Sequence, residues 1–244
     1  MSLEKIDTIN LSKSVLIRLS AMDYENCRKN NDYSSEQLIF PMKIQKKGDK
    51  YVDRISEQEL RLLFIEEFKK SYRDFFYSIE TPTKEKYSFR KSPKRNPYGQ
   101  SALIDMCILE RYNNKYQRIL NIEFKHKNTT SKNIEKDILK LITEDDDGVF
   151  IHLLDNTNKG TFCNKKGTGV FDKFHKSFSD YQKEWDDKHK SIQLVLISLR
   201  QKTLIYRELR RSDLKNLKYI FFIESGCGNI KDITENGWRS VTTK

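Results

Sequence analysis

Residues 102–125 read ALIDMCILERYNNKYQRILNIEFK, and this stretch decides the fold. Two apolar runs, ALIDMCIL (102–109) and RILNIEFK (118–125), flank the polar segment RYNNKYQ, where Asn tolerates positive φ. The pattern predicts a β-hairpin. Strand alternation sends Asn121, Glu123 and Lys125 to one face, and Ile122 and Phe124 to the other. Asp105 stands nine residues before Asn114 and Glu123 nine after it. The two carboxylates are therefore expected to be cross-strand neighbours, within one residue of register.

Such partners lie about 5 Å apart at Cβ, and like charges there repel. An acid in an apolar strand is also costly if buried alone. Lys125 relieves part of this cost, and a divalent cation relieves more. Mg²⁺ takes hard oxygen ligands and is typically held by one or two carboxylates with phosphate and water. The triplet alone is not specific. Glu67-Phe68-Lys69, Asp186-Asp187-Lys188 and Asp213-Leu214-Lys215 share the acid-x-Lys pattern. Those three lie in segments that read as helical or strongly polar, whereas Glu123-Phe124-Lys125 lies in an apolar strand. A purely structural Asp–Lys–Glu cluster would use the same residues.

Outward from the hairpin, residues 56–72 predict a helix. Ser56 is its N-cap, Glu59 completes a capping box, and Leu60, Leu63, Phe64 and Phe68 fall at helical spacing. FFYSIE (75–80) predicts a strand stopped by Thr81-Pro82-Thr83, and residues 84–100 predict a basic loop. Residues 131–142 predict a helix with Ile134, Ile138 and Leu141 on one face. FIHLL (150–154), SIQLVLISL (191–199) and YIFFIE (219–224) predict buried strands, and a polar helix is expected over 171–188. Residues 11–28 predict a helix, and Lys47-Gly48-Asp49-Lys50 predicts a hairpin turn within 38–52. Glu144-Asp145-Asp146-Asp147 predicts a solvated turn. The alternation implies an α/β fold, a mixed central β-sheet flanked by helices.

The chain has 244 residues, 46 Lys plus Arg against 35 Asp plus Glu, and a net charge of +11. Such a surface attracts polyanions, nucleic acid foremost. Its 14 Phe and 12 Tyr argue against a disordered chain. Cys27, Cys107, Cys163 and Cys227 form no CxxC knuckle and suggest no disulfide framework. The N-terminus lacks a signal-peptide pattern, and no apolar run approaches the ~20 residues of a membrane span. A cytoplasmic protein without membrane partners is expected. Lys86, Arg90, Lys91, Lys94 and Arg95, with Tyr87, Phe89 and Tyr98 interleaved, are candidates for nucleic-acid contact.

Asp105 followed by Glu123-Phe124-Lys125, with the helix at 56–72 before and the helix at 131–142 after, resembles the PD-(D/E)XK nuclease superfamily. The usual Pro before the Asp is absent, because Ile104 stands there. The resemblance covers about residues 56–154 and leaves the N- and C-terminal segments as elaborations of one nuclease domain spanning 1–244. It implies a restriction-endonuclease-like core and Mg²⁺-dependent phosphodiester hydrolysis, with Mn²⁺ as a substitute. Asp105, Glu123 and the Phe124 carbonyl would bind metal. Lys125 would orient or deprotonate water and stabilise developing charge. Glu59 is the first choice for the helix acid and Glu66 the second. The expected substrate is nucleic acid, DNA first, in phage defence, restriction or repair, with a homodimer or larger complex as a further expectation. Two alternatives stay open: a non-catalytic nucleic-acid-binding protein on the same fold, and an interaction module for an acidic partner.

Overall fold

The computed structural model describes residues 2–22, 38, 40, 42–44, 51–53, 55–90, 92–155, 157, 160–187, 189–223 and 233–243. Helix α1 (Thr8–Ala21) is capped by Asp7, whose carboxylate accepts from the Asn10 N–H at 2.9 Å. It starts earlier than the apolar pattern suggested, and residues 23–28 lie outside the described residues. Strands β1 (Met42–Ile44) and β2 (Tyr51–Asp53) pair antiparallel. The expected turn at Lys47–Lys50 also lies outside the described residues. Helix α2 (Glu57–Ser71) begins with the expected capping box on Ser56 and Glu59.

Next come β3 (Phe76–Ser88), β4 (Lys94–Arg95), β5 (Gln100–Tyr112) and β6 (Lys115–His126), then α3 (Ser131–Thr143) and β7 (Asp147–Leu154). Helix α4 (Val170–Tyr181), β8 (Ser191–Ser198), β9 (Thr203–Arg210), α5 (Leu217–Ile220) and β10 (Arg239–Thr242) complete the order. Eight strands form one sheet, β10-β9-β8-β7-β6-β5-β3-β4. The β6–β7 and β7–β8 pairs are parallel and the others antiparallel. The fold is thus α/β with a mixed sheet. Among the described residues no helix is long and apolar enough to cross a membrane.

The β5–β6 hairpin turns at Asn113 and Asn114, with φ 47° and 61°, the left-handed region that Asn tolerates. Alternation then sorts β6 into two faces. Leu120, Ile122 and Phe124 join the core under α1 and α2, where the Phe64 and Phe124 rings meet edge-on at 5.4 Å. Asn121, Glu123 and Lys125 face the other way, towards α3. That second face is closed by α3 and α4 over Phe150, Phe171, Phe174, Phe221 and Trp238. Strand β7 is buried along its whole length, as a parallel strand covered on both faces should be.

Several expectations are corrected. Thr81-Pro82-Thr83 does not stop β3, which runs on to Ser88 with an irregular register between Pro82 and Lys86. Strand β4 pairs with β3 at residues 87 and 88, so Pro82 sits on an edge where its missing N–H is harmless. The 84–100 segment is therefore partly strand. Residues 219–223 of YIFFIE form no strand, and Glu224 lies outside the described residues: α5 ends at Ile220, and Phe221 and Phe222 turn into the aromatic core, Phe222 at φ 56°. The helix expected over 171–188 ends at Tyr181 in a 3-10 turn. Strands β9 and β10 were not anticipated. Cys163 is disulfide-bonded, and sequence spacing gave no sign of it.

His152 lies fully buried in β7, its Nε2 2.6 Å from the Lys127 carbonyl oxygen and its Nδ1 without a partner among the described residues. Burial pushes its pKa down to about 4 from 6.5. The unfolded chain therefore binds one more proton between those values, and stability falls as pH drops from 6.5 towards 4. The shift corresponds to about 3 kcal/mol over the whole window. Urea unfolding at pH 7 and pH 4.5 should show a smaller acid loss for His152→Leu than for the wild-type chain.

Candidate active site

Met106 pairs with Ile122, so the next step of the β5–β6 register sets Asp105 opposite Glu123. The regular ladder ends there, and Asp105 Oδ2 accepts the Phe124 N–H at 2.8 Å. Strand alternation and this bond bring Asp105, Glu123 and Lys125 together at the end of the hairpin away from its turn.

Glu123 is 0 % exposed. Lys140 Nζ, from α3, lies 2.5 Å from its Oε1, yet neither carboxylate oxygen has a properly directed hydrogen bond among the described residues. Burial, with Asp137 and Asp105 nearby, lifts the Glu123 pKa well above the usual carboxylate range despite Lys140. Asp137 bridges both lysines, at 2.9 Å from Lys125 Nζ and 2.9 Å from Lys140 Nζ. Lys125 Nζ also lies 3.7 Å from Glu57 and donates to the Phe124 carbonyl at 2.9 Å. Burial pulls the Lys125 pKa down, but Asp137, Glu57, Asp105 and Glu123 outweigh it and the net shift is upward. Lys125 is an ammonium at neutral pH. Glu57 is raised, chiefly by its own burial against the pull of Lys125.

Four carboxylates (Glu57, Asp105, Glu123 and Asp137) thus surround two ammonium groups. With all of them ionised, two negative charges are in excess. Among the described residues no three His, Cys, Asp or Glu side chains form a ready metal cage, because the lysines interleave with the acids. The unbonded Glu123 Oε2, the adjacent Asp105 and the charge excess nevertheless suit a hard divalent cation.

The structure brings neither Glu59 nor Glu66 into the cluster. Glu59 Oε2 is occupied by the Ser56 N–H at 2.7 Å, and Glu66 pairs with Arg18 at 2.7 Å. Glu57, two residues before Glu59, is the acid that reaches Lys125. Asp137 and Lys140 form an i,i+3 pair on α3 that helical pairing alone would explain, yet both belong to the cluster. A signal was present: Asp137 stands three residues after Ile134 and four before Leu141, on the apolar stripe of α3.

The basic segment is more structural than expected. Arg95 forms two bonds to Glu85, at 2.6 and 2.7 Å. The Tyr87 ring is buried, its hydroxyl 2.6 Å from Thr143 Oγ1, and it stacks on Phe89. Lys136 Nζ sits 4.8 Å above the Phe89 ring. The Tyr87 ring is thus closed to a base, while Phe89 is partly buried. Lys86, Arg90 and Lys94 are exposed, Tyr98 is 98 % exposed, and Lys91 lies outside the described residues.

No family model, no curated protein and no solved structure matches this chain.

Proposed function

We propose that the chain is a divalent-metal-dependent nuclease of the PD-(D/E)XK kind, acting on nucleic acid and on DNA first. The observation that carries this reading is the convergence of Asp105, Glu123 and Lys125 beneath α3, with a buried Glu123 oxygen left without a hydrogen bond among the described residues. The order α2, β3, β5, β6, α3, β7, with β6 and β7 parallel, supports a restriction-endonuclease-like core. Asp105, Glu123 and the Phe124 carbonyl would hold Mg²⁺ or Mn²⁺. When bound, such an ion polarises a phosphoryl oxygen and lowers the pKa of bound water.

The protein's own contribution follows from the cluster. Lys125, held charged by its carboxylate neighbours, orients a water molecule and stabilises negative charge at phosphorus. Its raised pKa disfavours the alternative role of base. Asp137 positions the Lys125 ammonium. Lys86, Arg90 and Lys94 supply exposed positive charge for a phosphate backbone.

The Lys140–Glu123 pair favours one alternative, a non-catalytic nucleic-acid-binding protein on the same fold, since it neutralises a metal ligand from within. Cleavage of plasmid DNA, single-stranded DNA and RNA, with Mg²⁺, Mn²⁺ or EDTA, separates the two. Metal-dependent cutting is expected. Salt-sensitive binding without cutting would replace the nuclease reading with the binding one.

A further inference from the structure

The cation nearest to Glu123 is a side chain of the protein itself. Lys140 Nζ lies 2.5 Å from Glu123 Oε1 and 2.9 Å from Asp137 Oδ1, and donates to the Leu103 carbonyl at 2.8 Å. The Lys140 side chain is 8 % exposed. Lys125 is paired differently, with Asp137 and Glu57.

We propose that Lys140 is a resident counter-cation that competes with a divalent metal ion for Glu123. The proposal rests on the metal-dependent reading above and adds to it a control of metal loading. A buried carboxylate without a cation is strongly unfavourable, so the metal-free protein keeps Lys140 on Glu123. Asp137 gives the ammonium somewhere to go. It stands three residues before Lys140 on the same helix and already touches it. Lys140 can therefore release Glu123 while keeping Asp137 and the Leu103 carbonyl. Metal binding and the Lys140–Glu123 pair then exclude each other, and each weakens the other by the same factor.

Mn²⁺ titration calorimetry tests this, with circular dichroism to establish folding. Lys140→Gln removes the charge but keeps a donor for the Leu103 carbonyl. It should bind Mn²⁺ at least about tenfold more tightly than wild type, roughly a 1.4 kcal/mol gain. Lys127→Met removes a positive charge just past the end of the same strand, from a residue that pairs with Asp155 and touches none of the proposed ligands, and should gain much less. Equal gains in the two variants would reduce the effect to general electrostatics and overturn the competition. Unchanged or weaker binding in folded Lys140→Gln would also overturn it. If no folded variant and no wild-type protein binds Mn²⁺, the metal-dependent reading itself falls, and the competition with it. Should Lys140→Gln not fold, the wild-type chain decides. The Lys140 ammonium ¹⁵N resonance should shift on saturation with Mg²⁺ as its Glu123 contact is lost, and an unchanged resonance under bound Mg²⁺ overturns the proposal.

Discussion

Lys125→Met is expected to lower kcat/KM for nucleic-acid cleavage by a hundredfold to a thousandfold or more, the order seen when one preorganised charge-stabilising donor is removed. Asp105→Asn should fall at least as far. Asn keeps an oxygen that can accept the Phe124 N–H, so the strand end stays bonded while the charge that would hold a cation is lost. The two losses should not multiply, because residues that act as one unit are strongly non-additive. Helix α2 offers an internal control. Glu57 reaches Lys125, whereas Glu59 is occupied by the capping box. Glu57→Gln should therefore reduce cleavage, and Glu59→Gln should leave it nearly intact while costing about 1 kcal/mol of stability. Single-turnover assays with Mg²⁺ and thermal melts on the same samples check both. Wild-type rates in Lys125→Met and Asp105→Asn would show that the cluster is structural.

The hairpin at residues 102–125 was readable because three independent signals agreed there. The apolar runs set the strands, Asn113 and Asn114 set the turn, and counting from Asn114 placed Asp105 opposite Glu123. The two-residue turn alone would set Asp105 opposite Ile122, one residue short; the irregularity between Ile108 and Leu109 adds the residue that brings Glu123 opposite, and the sequence carries no local sign of it. Glu57, Asp137 and Lys140 escaped because their roles depend on how two helices pack on the sheet. Glu59 had the better local signature as a capping residue, and that same signature removes it from the site. YIFFIE shows the limit of periodicity from another side. A short apolar run is equally compatible with a strand and with a turn whose aromatic rings fill a core, and here Phe221 and Phe222 take the second option. The basic stretch at 84–95 misled through composition, since Glu85 claims Arg95 and the core claims Tyr87.

Glu144→Ala is expected to destabilise the protein by about 3–5 kcal/mol, the range for breaking a buried ion pair from one side. The sequence EDDDG reads as a solvated acidic turn, yet the Glu144 side chain is 0 % exposed and pairs with Arg118 at 2.8 Å. Its two oxygens also accept the Lys84 and Glu85 N–H groups at 3.0 and 3.1 Å, where the pairing of β3 with β5 becomes irregular. The Tyr87 hydroxyl contributes a weaker bond at 3.4 Å. One carboxylate therefore satisfies the backbone donors that the irregular stretch around Pro82 leaves over, and neutralises an arginine that also donates to the Pro82 carbonyl at 2.9 Å. Alanine would strand both N–H groups and leave Arg118, largely buried, without its partner. For a domain of this size the loss corresponds to a fall in Tm on the order of 10 °C. Asp145→Ala is the natural comparison. Asp145 is the next residue, and its pair with Lys84 is exposed on both sides, so a change below about 1 kcal/mol is expected. Equal melting temperatures for the two variants would mean that the β3 irregularity is held by something other than Glu144. A large gap would instead tie the strand that carries Lys86 to the loop that follows α3. Helix α3 carries Asp137 and Lys140, so substitutions at Glu144 should then loosen the carboxylate–lysine cluster as well as the fold.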